Sequence, residues 1–473
     1  MTAIDADFSK TYLFPPAFED LIPKDHPARF IREFVDYARL DVELEWNFEH
    51  GDGRPTYASA LLLRVWIYGY MHRITTVRKL EAACRENVGL LWLTGMNAPD
   101  HNTLWRFWRL NRKTVKRIFK QGLNLAVDAG MLGMVLHAID GTKLQSRYST
   151  RTAWSQKQLE KFRLRLDQEI EALEAEIATH EESNDEGYRL REELTTQENL
   201  REIIAERLSV LRKHGQTMMN RNEPEARVMK LAAGGTRLGY NAQIVADAEH
   251  GLIVAEAVSN APYDQGQMMP MMDLVEEEFG TLASETVADG GYNTVETLVQ
   301  AEDQGRSITL ATGANDPEAH AHEPFHATHF KYDATENVYI CPQKQRLEYS
   351  GQKKKDTGRS VEIYRCAVSA TCPVASECTE SPKGRSIERS EHQDLVRQHR
   401  DKRESVEGKA NLKKRSELAE RPFADIKWHM GFVRFRGGGL LNAAAEWTWN
   451  CLTFNLRILL RRWRAEMTFQ AAN

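Results

Sequence analysis

The spacing of apolar residues separates a helical region of the chain from strand-forming regions. Between residues 14 and 130, apolar side chains recur every three or four positions, as at Phe30 and Phe34. This is the period of an amphipathic helix, so we expect an all-helical N-terminal domain over residues 1–130. Within it, residues 101–122 carry seven basic side chains and no acidic one. This stretch predicts a cationic helix.

Short, partly β-branched apolar runs follow the helical region. Residues 134–140 form one such run, which ends on Asp140 and is typical of a buried strand. Residues 240–246 and 252–258 predict two antiparallel strands joined by a turn. Further helices and strands are predicted to alternate at residues 265–279, 285–289, 294–303 and 307–311. The alternation favours a mixed α/β sheet built from residues 131–153 and 232–312.

A long helical segment interrupts this sheet. In residues 154–231, apolar positions such as Leu159, Leu166 and Ile170 follow steps of three and four, and the polar stretch 181–187 is typical of the tip of an antiparallel helical hairpin. The hairpin has too few apolar positions to stand alone. We therefore expect it to pack on a partner arm or a second protomer, and we expect a homodimer.

Two regions complete the chain. Residues 313–398 are polar, rich in Cys and His, and give only weak strand signals. Their histidines at 320, 322, 326 and 329 are interpreted as part of a variable, solvated loop rather than as metal ligands. Residues 399–473 are helical in pattern, with a break at the glycines 437–439, where the backbone is unconstrained.

Composition excludes several classes of protein. The 473 residues are 41% hydrophobic and 28% charged, as in ordinary soluble chains of more than one domain. No apolar run is long enough for a membrane span and no signal peptide is evident, so we expect a cytoplasmic protein. The net charge of -5 is mildly unfavourable for a nucleic-acid binder, but the basic residues are strongly segregated.

Three carboxylates have the sequence context of a phosphodiester-cleaving site. Asp140 and Asp289 each end an apolar strand, and Glu420 lies on a basic C-terminal helix. Two Mg²⁺ ions about 3.5–4 Å apart need several converging oxygen ligands. Each acidic residue alone is usually a turn or surface residue, but the three contexts together favour a metal-dependent site that also accepts Mn²⁺.

The motifs around these carboxylates resemble those of the DDE transposases of bacterial insertion sequences. Residues 137–143 (HAIDGTK) are similar to the family's first-strand motif, 287–292 (VADGGY) to its second-Asp motif, and 420–427 (ERPFADIK) to its third. The resemblance implies an RNase H-like mixed sheet, interrupted by the helical hairpin and by the Cys-rich insertion, with residues 399–473 supplying the catalytic helices. It also implies that the N-terminal domain binds DNA.

The third motif predicts further contacts with DNA. Lys427 lies about two turns beyond Glu420 on the predicted helix, which suits a contact with a phosphate near the metal site. The family usually has a Tyr and an Arg before the Glu; here Leu412 and Arg415 stand near those positions, and Arg415 is one residue further from the Glu than usual. The N-terminal residues predicted to contact DNA are Arg106, Arg109, Arg112, Lys113, Lys116, Arg117 and Lys120. The alternative for that stretch is a solvated helix face.

Four cysteines form a second candidate site. Cys341, Cys366, Cys372 and Cys378 fall within a short, polar segment that would gain stability from a bound Zn²⁺. Their spacing lacks the tight two-residue knuckles of a zinc ribbon, and free structural thiols are the alternative.

The resemblance implies a transposase that binds terminal inverted repeats, cuts a strand in a metal-dependent step and transfers it into target DNA. The first rival is a catalytically silent RNase H-like DNA-binding or regulatory protein. The second is a structural hub organised by the hairpin and the Cys-rich segment. It predicts no nuclease activity and weak, salt-insensitive binding to DNA.

Overall fold

The structure is a computed structural model. It describes residues 17–38, 44, 46, 56–148, 153–178, 185–213, 215–220, 222–231, 234–313, 323–354, 360–368 and 371–472. The histidines at positions 320 and 322 and most of the predicted hairpin tip lie outside the described residues.

The elements follow one another along the chain with helices at both ends. The helices are α1 (Pro27–Tyr37), α2 (Ser59–Met71), α3 (Val77–Glu86), α4 (Val88–Thr94), α5 (His101–Leu110), α6 (Val115–Asp128), α7 (Gln156–Ile177), α8 (Asp185–Lys213), α9 (Met268–Phe279), α10 (Val295–Asp303), α11 (Ala375–Cys378), α12 (Gln393–Glu404), α13 (Val406–Ala424) and α14 (Leu440–Ala472). The strands are β1 (Leu136–Gln145), β2 (Ala153–Ser155), β3 (Met218–Asn220), β4 (Arg227–Lys230), β5 (Thr236–Asp247), β6 (Ile253–Ser259), β7 (Glu285–Ala288), β8 (Ile308–Leu310), β9 (Lys331–Asp333), β10 (Val338–Ile340), β11 (Arg346–Lys354), β12 (Ser360–Cys366) and β13 (Ser386–Ser390).

The predicted helical N-terminal region is confirmed, with one correction. The cationic stretch forms two helices, α5 and α6, rather than the single helix that was predicted. Asn111 ends α5 because its side-chain Nδ2 donates to the carbonyl of Phe107 at 3.0 Å and competes with continued helix. Trp108 is buried and Trp105 is exposed.

The predicted mixed sheet is also confirmed. The strands lie in the order β4-β5-β1-β7-β8, and β6 pairs with the edge of β5 that also carries β4. β5 and β6 form the predicted antiparallel hairpin, and β5 runs antiparallel to β1. β7 is parallel to β1 and β8 is parallel to β7. Three antiparallel strands therefore continue into two parallel ones.

Helices cover both faces of this sheet. On one face, Ala419 of α13 packs with Leu136, Ala138 and Val287. On the other, Trp447 of α14 is fully buried and its indole N–H donates to the carbonyl of Gln243 at 3.1 Å. Because α14 also packs against α2 and α6, the N-terminal helices and the sheet share one continuous core.

The predicted helical hairpin corresponds to α7 and α8. Ser155 begins α7 with a capping box that it forms with Gln158. The two arms bury a small common core near their base, which includes Leu159, Leu166 and Leu208. The short β2-β3 pair closes that base.

The Cys-rich region contradicts the prediction of weak strand structure. Its strands form a sheet of their own, in the order β13-β12-β11-β10-β9 and antiparallel throughout. Its core is small and largely aromatic, and consists of Phe330, Tyr339, Leu347, Tyr364 and Ile387. Polar and charged side chains on the exposed face of these strands hide the apolar alternation in the sequence.

Candidate active site

Strand pairing brings Asp140 and Asp289 to the same place in the sheet. β1 and β7 are parallel neighbours, and Ile139 pairs with Ala288. Asp140 and Asp289 each follow that pair by one residue, so the two carboxylates lie beside each other where β7 ends. The prediction that Asp140 also ends its strand is wrong, because β1 continues to Gln145 and Asp140 pairs with Ile244 of β5. The oxygens are oriented locally: Asp140 Oδ1 accepts the N–H of Gly141 at 2.7 Å, and Asp289 Oδ1 accepts that of Gly291 at 2.8 Å.

The environment of Asp140 opposes its negative charge. Burial is the largest cause that raises the pKa of Asp140, to about 6, and the charges of Asp289 and Asp264 act in the same direction. The nearest described cation is the guanidinium of Arg415, whose Nη1 lies 3.8 Å from Asp140 Oδ2. Burial and the two neighbouring carboxylates therefore outweigh the attraction of Arg415 in setting the pKa of Asp140.

Asp264 is a third aspartate near this pair, and the sequence analysis missed it. Its Oδ1 accepts hydrogen bonds from Asn241 at 2.9 Å and from Gln243 at 2.8 Å, and its Oδ2 pairs with Lys143. It lies in the loop after β6 and does not end an apolar strand directly. The sequence signal that could have identified Asp264 is a carboxylate in a loop at the same end of the sheet as Asp289.

The network around Asp264 explains the glycines and the tyrosine of the two Asp motifs. Tyr292 donates its hydroxyl to Gln243 Oε1, which links the second motif to β5. A Cβ at Gly141 would overlap with Gln243 and would lie 2.8 Å from Asp264 Oδ1. Glycine at position 141 therefore leaves room for the network that joins the two motifs.

The helix α13 carries the remaining predicted residues of this site across the sheet. Arg415 approaches Asp140, while Lys427 Nζ donates to Thr142 Oγ1 at 2.5 Å. Glu420 lies between them in sequence, next to the buried Ala419, and its side chain is exposed. Burial lowers the pKa of Lys427, and Asp140 partly opposes that shift.

The prediction that Lys427 lies on a regular helix is wrong. The segment Asp425–His429 is a π-helical turn, in which the N–H of Met430 donates to the carbonyl of Asp425 at 2.8 Å. Pro422 shortly before it has no N–H to give to the helical pattern. Such wide turns often occur at functional positions.

The structure brings Asp140 and Asp289 together but gives no complete metal-binding cluster. Among the described residues, no group of three or more His, Cys, Asp or Glu side chains is close enough to hold a metal ion. The roles of Asp140, Asp289 and Glu420 therefore stay predictions.

The cationic residues of α5 and α6 are not equally accessible. Arg106, Arg109, Lys113 and Arg117 are exposed. Arg112 is half-buried and donates to Asn442 Oδ1 at 2.9 Å. Lys116 and Lys120 are also exposed, but each lies near an acidic side chain: Lys116 is 3.9 Å from Glu256, and Lys120 pairs with Glu278. Part of this stretch therefore holds the fold together.

The four cysteines of the small sheet line one cavity of about 20 Å³. Cys341 follows β10, Cys366 ends β12 and Cys378 ends α11. Cys341 Sγ accepts the N–H of Gln345 at 3.2 Å. Burial is the main cause that raises the pKa values of Cys366 and Cys378, and the neighbouring cysteines add to it.

Two family models match parts of the chain on either side of the main sheet. Residues 340–460 match a transposase DDE domain, and residues 16–110 match a transposase domain known as DUF772. Together the two matches support an insertion-sequence DDE transposase. The DDE match includes Glu420 and Lys427, and the second match covers α1 to α5 of the transposase.

Other comparisons add no relative. Searches of curated proteins and of solved structures gave no significant match to the transposase. In the described part of the chain, no helix is both long and apolar enough to cross a membrane.

Proposed function

We propose that this transposase binds the terminal inverted repeats of its element and catalyses metal-dependent strand cleavage followed by strand transfer into target DNA. The observation that carries the proposal is the β1-β7 register, which sets Asp140 beside Asp289. The strand order, with three antiparallel strands continuing into two parallel ones, supports an RNase H-like catalytic core.

Glu420 is the proposed third acidic residue. Arg415, five residues before it, and Lys427, seven residues after it, both reach side chains of β1. Ala419 packs against the part of β1 that precedes Asp140. These contacts hold the segment around Glu420 against β1, the strand that carries Asp140, and they support its proposed role.

The carboxylates of Asp140 and Asp289 supply the oxygen ligands that divalent cations prefer. The raised pKa of Asp140, caused by burial and by Asp289, is the property expected of carboxylates that a cation would stabilise. Asp140 and Asp289 would share one Mg²⁺ or Mn²⁺ ion, and Glu420 would help to hold a second. Bound ions of this kind supply a water-derived nucleophile and neutralise charge on the phosphate.

The chain's own residues would position the DNA for two successive reactions. Hydrolysis would break a P–O bond and leave a 3′ hydroxyl on the element end. That oxygen would then attack a target phosphate, forming a new P–O bond and releasing a target 3′ hydroxyl. Lys427, held by Thr142 beside the site, would pair with the scissile phosphate, and Arg415 would contact DNA on the other side.

The N-terminal helices are the proposed reader of the element ends. Of the predicted contacts, the exposed Arg106, Arg109, Lys113 and Arg117 are the best placed to meet phosphates. The hairpin α7-α8 is the proposed dimer element, since Leu164, Tyr188 and Ile203 remain exposed along its arms.

The cysteine cluster is the proposed zinc site. All four thiols line one small cavity, and a zinc ion bound there would draw the sulfurs together and compensate their charge as thiolates. The test is metal content: wild type should contain about one zinc per chain, and Cys366→Ser and Cys372→Ser should lose it. Cys451→Ala, which changes a buried cysteine of the main core, should retain it. Wild type purified without zinc, or with two thiols blocked as a disulfide, would contradict this site.

The catalytic assignment is tested on duplex DNA carrying the inverted repeats that flank the gene. Wild type should cut this DNA in Mg²⁺, and Asp140→Asn, Asp289→Asn and Glu420→Gln should each reduce cutting by about 10³-fold or more. Glu417→Gln alters an exposed acid one turn earlier on α13 and should cut normally. Normal cutting by the three variants would refute the assignment. Binding without cutting by wild type would favour the catalytically silent alternative.

A further inference from the structure

A large cleft begins at Asp289 and extends toward the small sheet. Its volume is about 950 Å³, at the upper end of the sizes of ligand pockets. One wall is formed by residues of the small sheet, among them Tyr339 of β10 and Ile387 of β13, and the other by α12. We call this space the α12 cleft.

Its floor consists of backbone beside the catalytic aspartate. Gly290 follows Asp289, and a Cβ there would lie 2.5 Å from the Cα of Gly313 and 2.5 Å from the carbonyl of Thr312. The loops after β7 and β8 therefore touch through their main chains. A floor with few side chains allows a ligand to approach closely to Asp289.

The helix α12 is fixed firmly on the main sheet. His399 Nε2 accepts the N–H of Leu310 at 3.0 Å, and Lys402 Nζ donates to Glu285 at 2.8 Å and to the carbonyl of Ile308 at 3.0 Å. The residues that make these contacts lie on one side of α12. Their contacts therefore fix the direction in which the neighbouring side of the helix faces.

That neighbouring side presents arginines to the cleft. Arg397, Arg400 and Arg403 follow one another at three-residue intervals and line it together with Arg415. The acidic side chains that line it are Asp289, Glu388 and Asp394, and Asp394 is paired with Arg389. Two of the arginines also lie near acidic neighbours on α12: Arg400 Nε is 3.6 Å from Asp401, and Arg403 Nε is 3.5 Å from Glu404. The lining itself still carries four arginines against three acidic side chains, next to a carboxylate at which phosphate chemistry is proposed.

We infer that the α12 cleft holds the DNA strand adjacent to the phosphate that is cut at Asp289. Phosphates of that strand would pair with the guanidinium groups of Arg397 and Arg400, whose planar donors match phosphate oxygens. The inference rests on the proposed function for the identity of the ligand. It assigns to α12 a role that the sequence motifs did not indicate.

The experiment measures binding of the full chain to repeat-end duplex DNA over a series of salt concentrations. Arg397→Ala with Arg400→Ala should weaken binding at least tenfold and lower the salt slope by roughly one to two, since each lost phosphate contact removes about 0.9. Arg397→Lys should restore most of the slope. Lys414→Ala, an exposed residue on the far side of α13, should leave affinity and slope unchanged.

Two outcomes would overturn the inference. One is wild-type affinity and slope in the folded double variant, and the other is an equal loss in Lys414→Ala. The proposed function is judged separately, by cutting. If Asp140→Asn abolishes cutting and the arginine variants bind normally, only the cleft assignment fails; if wild type never cuts but the arginine variants still lose binding, the cleft assignment stands and the proposed function fails.

Discussion

Two aspartates on one pair of strands have opposite electrostatic environments. Asp247, at the end of β5, pairs with His137 at the start of β1, and three residues further along β1 lies Asp140. Asp247 is fully buried, yet it accepts N–H groups from Met134 at 3.0 Å and Glu249 at 2.9 Å, with that of Gly133 at 3.3 Å. Asp140 accepts one N–H and faces two other carboxylates.

The two pKa shifts follow from these partners. Burial acts to raise the pKa of Asp247, but the His137 ring, whose Nε2 lies 3.5 Å from Asp247 Oδ2, and hydrogen bonds from the backbone outweigh it, and the pKa is lowered. Burial raises the pKa of Asp140 to about 6, and its neighbours increase the shift. A compensated carboxylate holds the fold together, whereas an uncompensated one is free to bind a cation.

The largest expected effect is the loss of the compensated carboxylate. Asp247→Ala should lower the free energy of unfolding by about 3 kcal/mol, because a fully buried carboxylate and its three part-buried N–H hydrogen bonds are lost. Asp273→Ala, which removes a half-exposed aspartate paired with Arg306, should cost less than about 1 kcal/mol. Chemical denaturation measures both. Equal costs for the two variants would contradict the comparison.

The stabilisation from Asp247 should depend on pH in one direction. Its pKa is lowered in the folded state from the usual 3.8, so its contribution is fully present above pH 3.8 and is lost as the pH falls through the folded value. Wild type and Asp247→Ala should therefore converge in stability in strong acid. A constant difference between them down to the lowest pH at which both fold would argue against this.

Asp264 should give an intermediate effect, because its charge is partly compensated by Lys143 and two amides. Asp264→Asn disturbs the network that joins the two Asp motifs, and it should reduce cutting about 10–100-fold, the range for residues that orient metal ligands. DNA affinity should stay near that of wild type. A variant that cuts normally would show that the network does not position the site.

The smallest expected effect is a gain in stability rather than a loss. In the absence of divalent metal, Asp140→Asn should stabilise the fold by about 1–2 kcal/mol, because it removes a buried charge that faces Asp289. Mg²⁺ should raise the melting temperature of wild type and not that of the variant. Thermal unfolding with EDTA and with Mg²⁺ measures both, and a destabilised Asp140→Asn would count against repulsion at this site.

Sequence patterns predicted much of the main sheet. The runs that form β1, β5, β6 and β7 are dense in apolar residues and end at polar ones. Their burial could therefore be predicted from the local sequence pattern. The small sheet was missed because its strands bury one narrow face around an aromatic core. The break between α5 and α6 was missed because a single Asn side chain produces it.

The candidate site also contains residues that the sequence pattern predicted and a residue that it missed. Asp140 and Asp289 were predicted because each ends an apolar run, although Asp140 lies within β1 and only Asp289 follows the end of its strand. Asp264 was missed because its place depends on where a loop folds back. The domain boundaries stay predictions, and the continuous core between the N-terminal helices and α14 was not apparent from the pattern.

The sequence by itself determined the strand-end aspartates, the helix that carries Glu420 and the cysteines, because periodicity and residue chemistry are local properties. Only the tertiary structure decided that β1 and β7 are neighbours, that Asp264 joins them and that α12 turns its arginines toward Asp289. These facts depend on strand order and helix docking, which are set by contacts between residues far apart in the chain.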